Sequence, residues 1–235
     1  MQAKSLTEQE LNTAVSYALH HTGKWGQRNR MLLLVSHWTG MRVCEVASLR
    51  LHHVLDIRGE VVPELELTAN ETKGRHSRRV VLPQKLQNEL RLYIRRQLNL
   101  KSLAGVAYHQ GHVPLFSTQK HSAFTANVLT QVYSRLYSAA GIKGATSHSG
   151  RRSFITNLAA RGANPRALQV LAAHRSLNTT MRYIDVNDSL LRAVSLRWFR
   201  QRCGLSCYTT FLSIAPTPRP SLIANSASLR RTPLL

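Results

Sequence analysis

The stretch TSHSGRRSFITNL, residues 146–158, places one histidine and two arginines at the start of a segment with the apolar spacing of a core helix. Polar groups packed this closely cost free energy to bury unless each has a partner. The first turn of a helix also presents free backbone N–H groups, which attract anions. The stretch therefore predicts a helix over 149–161 whose first turn, with His148 and Arg151, meets a negatively charged ligand.

The composition indicates the same kind of partner. Among 235 residues, 43% of them hydrophobic, Lys and Arg number 32 and Asp and Glu number 11, which gives a net charge of +21. An ordinary domain surface mixes both signs, whereas a surplus of cations collects phosphates and releases their counterions. The charge therefore predicts a polyanionic partner, which we expect to be nucleic acid.

Other features narrow the class of protein. The three cysteines, Cys44, Cys203 and Cys207, show neither a disulfide framework nor the spacing of a metal finger. The amino terminus lacks the apolar core of a signal peptide, and no apolar run approaches the length of a membrane span. So few carboxylates also make a two-metal nuclease site hard to assemble. We expect a cytoplasmic protein with no membrane partner.

Periodicity and capping signals predict a mainly α (α+β) fold. Residues 7–10, TEQE, are typical of a capping box and open a helix through about His20. Residues 54–83 have short β-prone runs and predict a small antiparallel sheet with a hairpin near Lys73-Gly74. Further helices are predicted at 28–39, 41–51, 84–98, 124–140, 149–161, 165–173, 178–184 and 187–202.

The pattern is lost beyond Gly204. Ser, Thr and Pro scatter through residues 205–235 without a period, so we expect a disordered C-terminal tail there. Residues 1–204 are expected to form one mainly helical domain.

Two short motifs carry candidate chemistry, although each has an ordinary interpretation. In TGMRVCEV, 39–46, Glu45 can hold the guanidinium of Arg42 from three residues away while its fork points at a ligand. Surface Arg–Glu pairs are nevertheless common. The HxxR motif at 148–151 puts two polar groups on one side of a helical turn, but the same pattern recurs at 76–79.

The third motif is LAAHRSLNTTMRYIDV, 171–186, in which Tyr183 follows His174 by nine residues. A buried tyrosine with a hydrogen-bonded hydroxyl would explain this motif alone. Together and in this order, the motifs resemble the tyrosine recombinase (phage integrase-type) family. The resemblance covers roughly residues 5–200, and the matching pieces are TGMRVCE at 39–45, TKG at 72–74, RRVVLP at 78–83, HSGR at 148–151 and LAAHRSLNTTMRY at 171–183.

The resemblance implies a site-specific DNA recombinase that cleaves and rejoins strands through a 3′-phosphotyrosine intermediate, in integration, excision, resolution or inversion. Arg42 and Arg151 would hold the two non-bridging oxygens of the scissile phosphate through charge-assisted bonds, and Glu45 would support Arg42. Tyr183 would attack phosphorus and carry the strand. The family uses neither a metal nor a cofactor, and we expect none here.

The remaining site residues follow from the same resemblance. His148 matches the base-like or orienting histidine, Lys73 the general acid that protonates the departing 5′ oxygen, and His174 a further hydrogen bond to the phosphate. Contacts with the DNA backbone are expected from a set of basic residues: Arg75, Arg78, Arg79, Lys120, Arg152 and Arg175. For Lys120, Arg152 and Arg175, solvated surface charge remains an open alternative.

The resemblance also implies double-stranded DNA as the partner, a tetramer on paired DNA sites and, for some reactions, an accessory DNA-bending protein. The amphipathic segment 188–202 either docks on a neighbouring protomer, as the resemblance implies, or packs on its own domain. Most members carry an N-terminal core-binding domain. Because the first motif arrives at residue 42, we expect a short form without that domain, and a truncated element is the alternative.

Three positions depart from the family pattern. Gly150 and Arg152 stand where a leucine and often a histidine occur, and Ala173 replaces a common glycine. Gly150 costs about 1 kcal/mol relative to Ala in a first helical turn, so we expect a looser turn around Arg151. One alternative function is a helix-turn-helix-like DNA-binding regulator without catalysis, since 161–184 predicts two helices joined by a short turn. A DNA-relaxing topoisomerase would use the same chemistry as the recombinase.

Overall fold

Helices dominate the described chain. The computed structural model describes residues 3–72 and 77–183, which form a mainly helical fold with one two-stranded antiparallel sheet, as predicted. The segments 187–202 and 205–235 lie outside the described residues, as do Lys73 and Arg75. The elements in chain order are α1 (Glu8–His21), α2 (Gly26–Thr39), α3 (Val43–Ser48), α4 (Leu51–Val54), β1 (Glu64–Leu67), β2 (Arg78–Val81), α5 (Gln84–Leu98), α6 (Val106–His109), α7 (Ala126–Ala139), α8 (Ser149–Ala160), α9 (Pro165–Ala172) and α10 (Leu177–Met181).

The strongest local signals in the sequence are confirmed. Thr7 and Glu10 form the predicted capping box, with Glu10 N donating to Thr7 Oγ1 (3.2 Å) and Thr7 N donating to Glu10 Oε2 (3.0 Å). Helix α5 has the predicted bounds. Within residues 3–72 and 77–183, no helix combines the length and the apolar character that crossing a membrane requires.

Helix α2 lies at the centre of the core. Its apolar run at 31–35 is at most 4% exposed at every position, as expected for a helix that is apolar on all sides. Helices α1, α5 and α8 pack against it. The helix ends at Gly40, whose φ of 63° lies in the left-handed region that favours glycine. This turn leads the chain directly into Arg42 and α3.

The prediction of one helix over 41–51 is wrong. Two short helices, α3 and α4, are separated by a non-helical step at Leu49. Backbone hydrogen bonds from Leu115 N to Leu49 O (2.9 Å) and from Leu51 N to Val113 O (3.0 Å) hold the step against a neighbouring segment. Pairing with a distant part of the chain therefore overrides the helical periodicity of the local sequence.

The sheet directs one arginine into the protein. Strands β1 and β2 pair antiparallel, with Leu65 opposite Val80 and Leu67 opposite Arg78. Successive side chains of a strand point to opposite faces. On β2, Arg78 and Val80 are accordingly buried, whereas Arg79 between them is exposed.

Helix α8 approaches α2 closely at Gly150. A Cβ added there would lie 3.0 Å from Cβ of Ser36 and 3.1 Å from the carbonyl carbon of the same serine. Ser149 and Ser153, on the same helix, are also fully buried. Because a protein interior is close-packed, only glycine fits without displacing α2. The prediction of a looser turn around Arg151 considered helix propensity alone and not this packing contact of Gly150.

Gly150→Ala should lower the melting temperature. Alanine has the higher helix propensity, by about 1 kcal/mol, but overpacking a tight contact typically costs about 1–3 kcal/mol, so we expect a net loss measurable by thermal unfolding. Ser134→Ala, at an exposed position of α7, is the control for propensity alone and should leave the melting temperature unchanged or slightly higher. A Gly150→Ala protein as stable as the parent would show that the contact with Ser36 relaxes freely.

His37 predicts a loss of stability in acid. The side chain is buried, its Nδ1 has no hydrogen-bond partner among the described residues, and burial lowers its pKa from 6.5 to about 4. The unfolded chain therefore binds a proton at higher pH than the folded protein does. The part of the stability that depends on a neutral His37 is fully present above pH 6.5 and is lost as the pH falls toward 4. We expect this part to be about 3 kcal/mol.

Urea unfolding at a series of pH values measures this dependence. His37→Leu should make the curve less steep between pH 6.5 and 4, whereas His20→Gln, at an exposed position of α1, should leave its slope unchanged. A curve of unchanged slope in His37→Leu would assign the acid sensitivity to other groups.

Candidate active site

Three arginines from distant parts of the chain converge around one carboxylate. Glu45 in α3 is fully buried. Its Oε1 accepts a hydrogen bond from Nη1 of Arg42 (2.9 Å), and its Oε2 accepts from the backbone N of Arg42 (2.8 Å). The same Oε2 accepts from Nη1 of Arg78 (2.5 Å). Glu45 therefore holds two guanidiniums, one more than the spacing of its own motif predicted.

The C-terminal end of α9 holds the same side chains together with a third arginine. Three consecutive carbonyl oxygens each accept from one Nη2: Leu171 from Arg78 (2.6 Å), Ala172 from Arg151, and Ala173 from Arg42 (2.9 Å). Nη1 of Arg151 also donates to the carbonyl of Gly40 (2.7 Å). Carbonyls at the end of a helix lack intrahelical partners and carry the negative end of the helix dipole. They therefore orient the guanidiniums without cancelling their charge.

The cluster has an excess of positive charge. Burial, with Arg42 and Arg78 close by, lowers the pKa of Arg151 to about 9. Burial and the guanidiniums, Arg151 foremost, lower the pKa of His174 to about 4, so its ring is neutral at neutral pH. Both pKa values are lowered first by burial and then by the neighbouring positive charges. Since Glu45 supplies one negative charge against three positive ones, the site favours an anionic ligand.

A cleft of about 430 Å³ opens beside the cluster. Five of the six predicted catalytic side chains line it: Arg42, His148, Arg151, His174 and Tyr183. Its other lining residues are Ala3, Arg152, Thr179 and Arg182. The sixth predicted catalytic residue, Lys73, lies outside the described residues.

Tyr183 contacts two other residues of the cleft through its ring. Its ring centroid lies 5.7 Å from that of His174, with 21° between the ring planes. The guanidinium carbon of Arg152 lies 5.3 Å from the Tyr183 centroid, within the range of a cation–π contact. The backbone N–H of Tyr183 donates to the carbonyl of Thr180 (3.0 Å). The predicted nucleophile therefore shares one cleft with the arginines of its own chain.

The two histidines of the cleft have different surroundings. His148 stands at the N-cap of α8 with an exposed side chain, and its backbone N donates to Thr146 Oγ1 (3.2 Å). His174 is half-buried, and its Nδ1 lies 3.0 Å from Oγ1 of Thr180. The exposed ring is suited to exchanging protons, whereas the half-buried neutral ring is suited to hydrogen-bonding a bound ligand.

The predicted DNA-contact residues fall into different environments. Arg78 is buried as a member of the cluster, because its strand directs the side chain inward and Glu45 accepts its hydrogen bond. This position does not support the direct contact with a DNA phosphate that we expected. Arg152 lines the cleft, and Arg75 lies outside the described residues. Exposed but absent from the lining of the cleft are Arg79, Lys120 and Arg175.

Sequence reasoning missed part of the site. Thr179 and Arg182, which line the cleft, and Thr180, which contacts His174, belong to the polar run just before the nucleophile. That position was the only signal for them. For Arg78 the signal was stronger. Two adjacent arginines on a half-buried strand must point to opposite faces, so one of the pair Arg78-Arg79 had to face inward.

Ala173 occupies a backbone conformation that favours glycine. Its φ is 47°, at the C-cap of α9, and a left-handed residue with a Cβ costs about 1–2 kcal/mol. Gln169 Nε2 donates to the carbonyl of His174 (3.0 Å), which helps to hold the turn. The departure from the family pattern thus places strain at the residue whose carbonyl binds Arg42.

Glu45→Gln should destabilise the fold strongly. Removing one partner of a buried ion pair costs about 3–5 kcal/mol, because it leaves uncompensated buried charge, and urea unfolding measures the loss. Glu66→Gln is the matched control, since Glu66 forms an exposed 3.0 Å pair with Arg79 and such pairs contribute at most about 1 kcal/mol. Equally small losses in both variants would show that the carbonyls of α9 hold the arginines unaided.

Comparisons with known proteins identify the family of the chain. The sequence model of the phage integrase family matches residues 4–189. Tyrosine recombinase XerA of Pyrococcus furiosus is 31% identical over 189 residues, which are 80% of this chain and 59% of the relative. Tyrosine recombinase XerD of Xanthomonas axonopodis pv. citri is 33% identical over 183 residues, which are 77% of this chain and 57% of the relative.

Solved structures share the fold. The crystal structure of XerA recombinase aligns with a TM-score of 0.63 at 23% identity, covering 84% of this chain and 66% of that one. XerH site-specific recombinase bound to its difH substrate, in a pre-cleavage complex, aligns with a TM-score of 0.57 at 25% identity, covering 83% and 54%. The chain spans less than two thirds of the length of these curated relatives. Because the family model matches most of its length, this chain belongs to the phage integrase family.

Proposed function

We propose that this protein is a site-specific tyrosine recombinase, which cleaves and rejoins DNA strands through a 3′-phosphotyrosine intermediate. The observation that carries the proposal is that Arg42, Arg151, His174 and Tyr183, distant in the chain, line one cleft with excess positive charge. Family membership supports it, as does the structure of the related XerH bound to its difH substrate. The proposed reaction uses neither a metal nor a cofactor.

The arginines bind the scissile phosphate. In Arg42 and Arg151, each terminal nitrogen donates one N–H to Glu45 or to a backbone carbonyl. Each of these nitrogens carries a second N–H. These donors can hold the two non-bridging oxygens. Because protein contacts already orient the guanidiniums, the charge that develops in the transition state is stabilised without reorganisation.

Tyr183 performs the covalent step. Its phenol oxygen forms a bond to phosphorus while the bond from phosphorus to the 5′ oxygen breaks. The phenol proton passes to a base, for which His148 is the proposed acceptor, and the 5′ oxygen receives a proton from Lys73. The phosphotyrosine conserves the energy of the broken bond. Attack by the 5′ hydroxyl of a partner strand reverses each transfer and rejoins the DNA.

The proposed partner is double-stranded DNA in the cytoplasm. A net charge of +21 supports a long contact with phosphates, and the exposed Arg79, Lys120 and Arg175 are the proposed backbone contacts outside the cleft. Strand exchange between two sites needs one nucleophile for each strand cut, so we propose four protomers on paired sites. An accessory DNA-bending protein would help to bring the sites together.

A helix-turn-helix regulator is the second candidate function. Helices α9 and α10 pack on each other and are joined by the short turn at 173–176. However, α10 has five residues, which is short for a helix that reads a DNA groove. A regulator would also give Arg42, Arg151 and Tyr183 no shared purpose. We therefore favour the recombinase.

Tyr183→Phe should abolish covalent protein–DNA adducts and leave DNA binding intact, because it removes only the attacking oxygen. Protein incubated with genomic DNA fragments is denatured, and the DNA that remains attached is sequenced, which also maps the target site. Tyr108→Phe is the matched control: the Tyr108 side chain is 83% exposed and is not among the residues lining the cleft. This control should form adducts at the parental rate.

Three outcomes would contradict the proposal in different ways. Adducts that persist in Tyr183→Phe would assign the nucleophile elsewhere. Specific binding without any adduct in the parent protein would favour the regulator. Adducts and relaxation of a supercoiled plasmid, without exchange between two mapped sites, would favour a topoisomerase.

A further inference from the structure

Thr180 contacts both the half-buried histidine and the nucleophile of the cleft. It is the buried residue of α10, with no exposed surface. Its Oγ1 lies 3.0 Å from Nδ1 of His174. Its carbonyl oxygen accepts the backbone N–H of Tyr183 at 3.0 Å. Thr180 therefore joins two groups that the proposed reaction requires.

The contact at Nδ1 decides which ring nitrogen of His174 meets a ligand. Because Thr180 occupies Nδ1, a ligand in the cleft is met by Nε2. The pKa of His174 is lowered to about 4 by burial and the neighbouring guanidiniums, so the ring carries one proton at neutral pH. A neutral imidazole has one donor nitrogen and one acceptor nitrogen, and a hydrogen bond at one of them fixes the role of the other.

The charge of the cleft selects between the two tautomers. An anion held by Arg42 and Arg151 presents acceptor oxygens, so Nε2 must carry the proton in order to bind it. Nδ1 is then an acceptor and needs a donor, and the hydroxyl of Thr180 has one proton to donate. With the opposite tautomer, a nitrogen lone pair would face the oxygens of the anion and repel them.

We propose that Thr180 is a positioning residue whose hydroxyl donates to Nδ1 of His174 and thereby keeps the ring proton on Nε2, toward the scissile phosphate. The inference rests on the proposed function for the identity of that anion. The tautomer can be measured with any anion in the cleft, inorganic phosphate included. The ring of His174 also lies against that of Tyr183, so a ring oriented by Thr180 offers the nucleophile a fixed surface.

Nitrogen-15 NMR of the full chain with labelled histidine reads the tautomer directly. Spectra are recorded near neutral pH in inorganic phosphate, and His174→Gln identifies the signal of this histidine among the others. We expect the Nε2–H tautomer in the parent and in Thr180→Ser, which keeps the hydroxyl. In Thr180→Val, which keeps the shape and loses the hydroxyl, the proton should move wholly or partly to Nδ1. An Nδ1–H tautomer in the parent, or an unchanged one in Thr180→Val, would overturn the inference.

The rate of covalent adduct formation supplies a second readout. Losing one neutral hydrogen bond should slow Thr180→Val about tenfold, whereas Thr180→Ser should stay within about threefold of the parent. In a His174→Gln background, Thr180→Val should cause no further slowing, because the two residues act through one contact. Slowing of the same size in both backgrounds would show that Thr180 acts independently of His174, against the proposal.

The two readouts separate the inference from the function on which it rests. If the parent forms no adduct with any DNA, the recombinase proposal fails, and the tautomer measured by NMR still decides the role of Thr180. Melting temperatures show whether each variant is folded. If Thr180→Val does not fold, the tautomer in the parent and in Thr180→Ser decides.

Discussion

The buried carboxylate of Glu45 and the carbonyl end of α9 are the constraint on which the rest of this structure depends. Together they position three guanidiniums that arise before α3, on β2 and in the first turn of α8. Each guanidinium would repel the others if they came together without compensation. The carboxylate and the carbonyl oxygens stabilise the three guanidiniums at close range. Because the single carboxylate neutralises only one of the three positive charges, a net positive charge remains to attract an anion. The position of the cleft follows from this balance.

Backbone geometry brings the three arginines within reach. The left-handed turn at Gly40 ends α2 and directs Arg42 toward α9, and the carbonyl of the same glycine accepts from Arg151. Gly150 lets α8 lie against α2, so that Arg151 enters the cluster from the other side. The alternation of side chains along β2 directs Arg78 toward the protein interior, where it joins the other two arginines. The arginines can therefore meet only in a correctly packed core, which couples the site to the stability of the fold.

The sequence predicted the fold class, and its short motifs contained five of the residues that line the cleft, because both depend on local patterns. Each correct prediction rested on residues within a few helical turns of one another. Examples are the capping box at Thr7, the bounds of α5 and the motifs that contain Arg42, Arg151 and His174. Features that depend on distant partners were missed. The break at Leu49 exists because a separate segment pairs with it. Gly150 looked like a weak point in a helix, since nothing local shows that Ser36 lies opposite. Arg78 was assigned to the surface although its strand turns it inward.

Backbone carbonyls rather than further carboxylates hold the arginines at the end of α9, and this has a consequence for how an anion affects the stability of the fold. Three carboxylates would have neutralised the cluster and made it inert, whereas helix carbonyls leave its field intact. An anion that fits the cleft adds negative charge beside the three guanidiniums, and its binding to the folded state raises the stability of that state by mass action. The bound anion would act as a counter-ion of the buried arginines, so the concentration of the anion would change the free energy of unfolding.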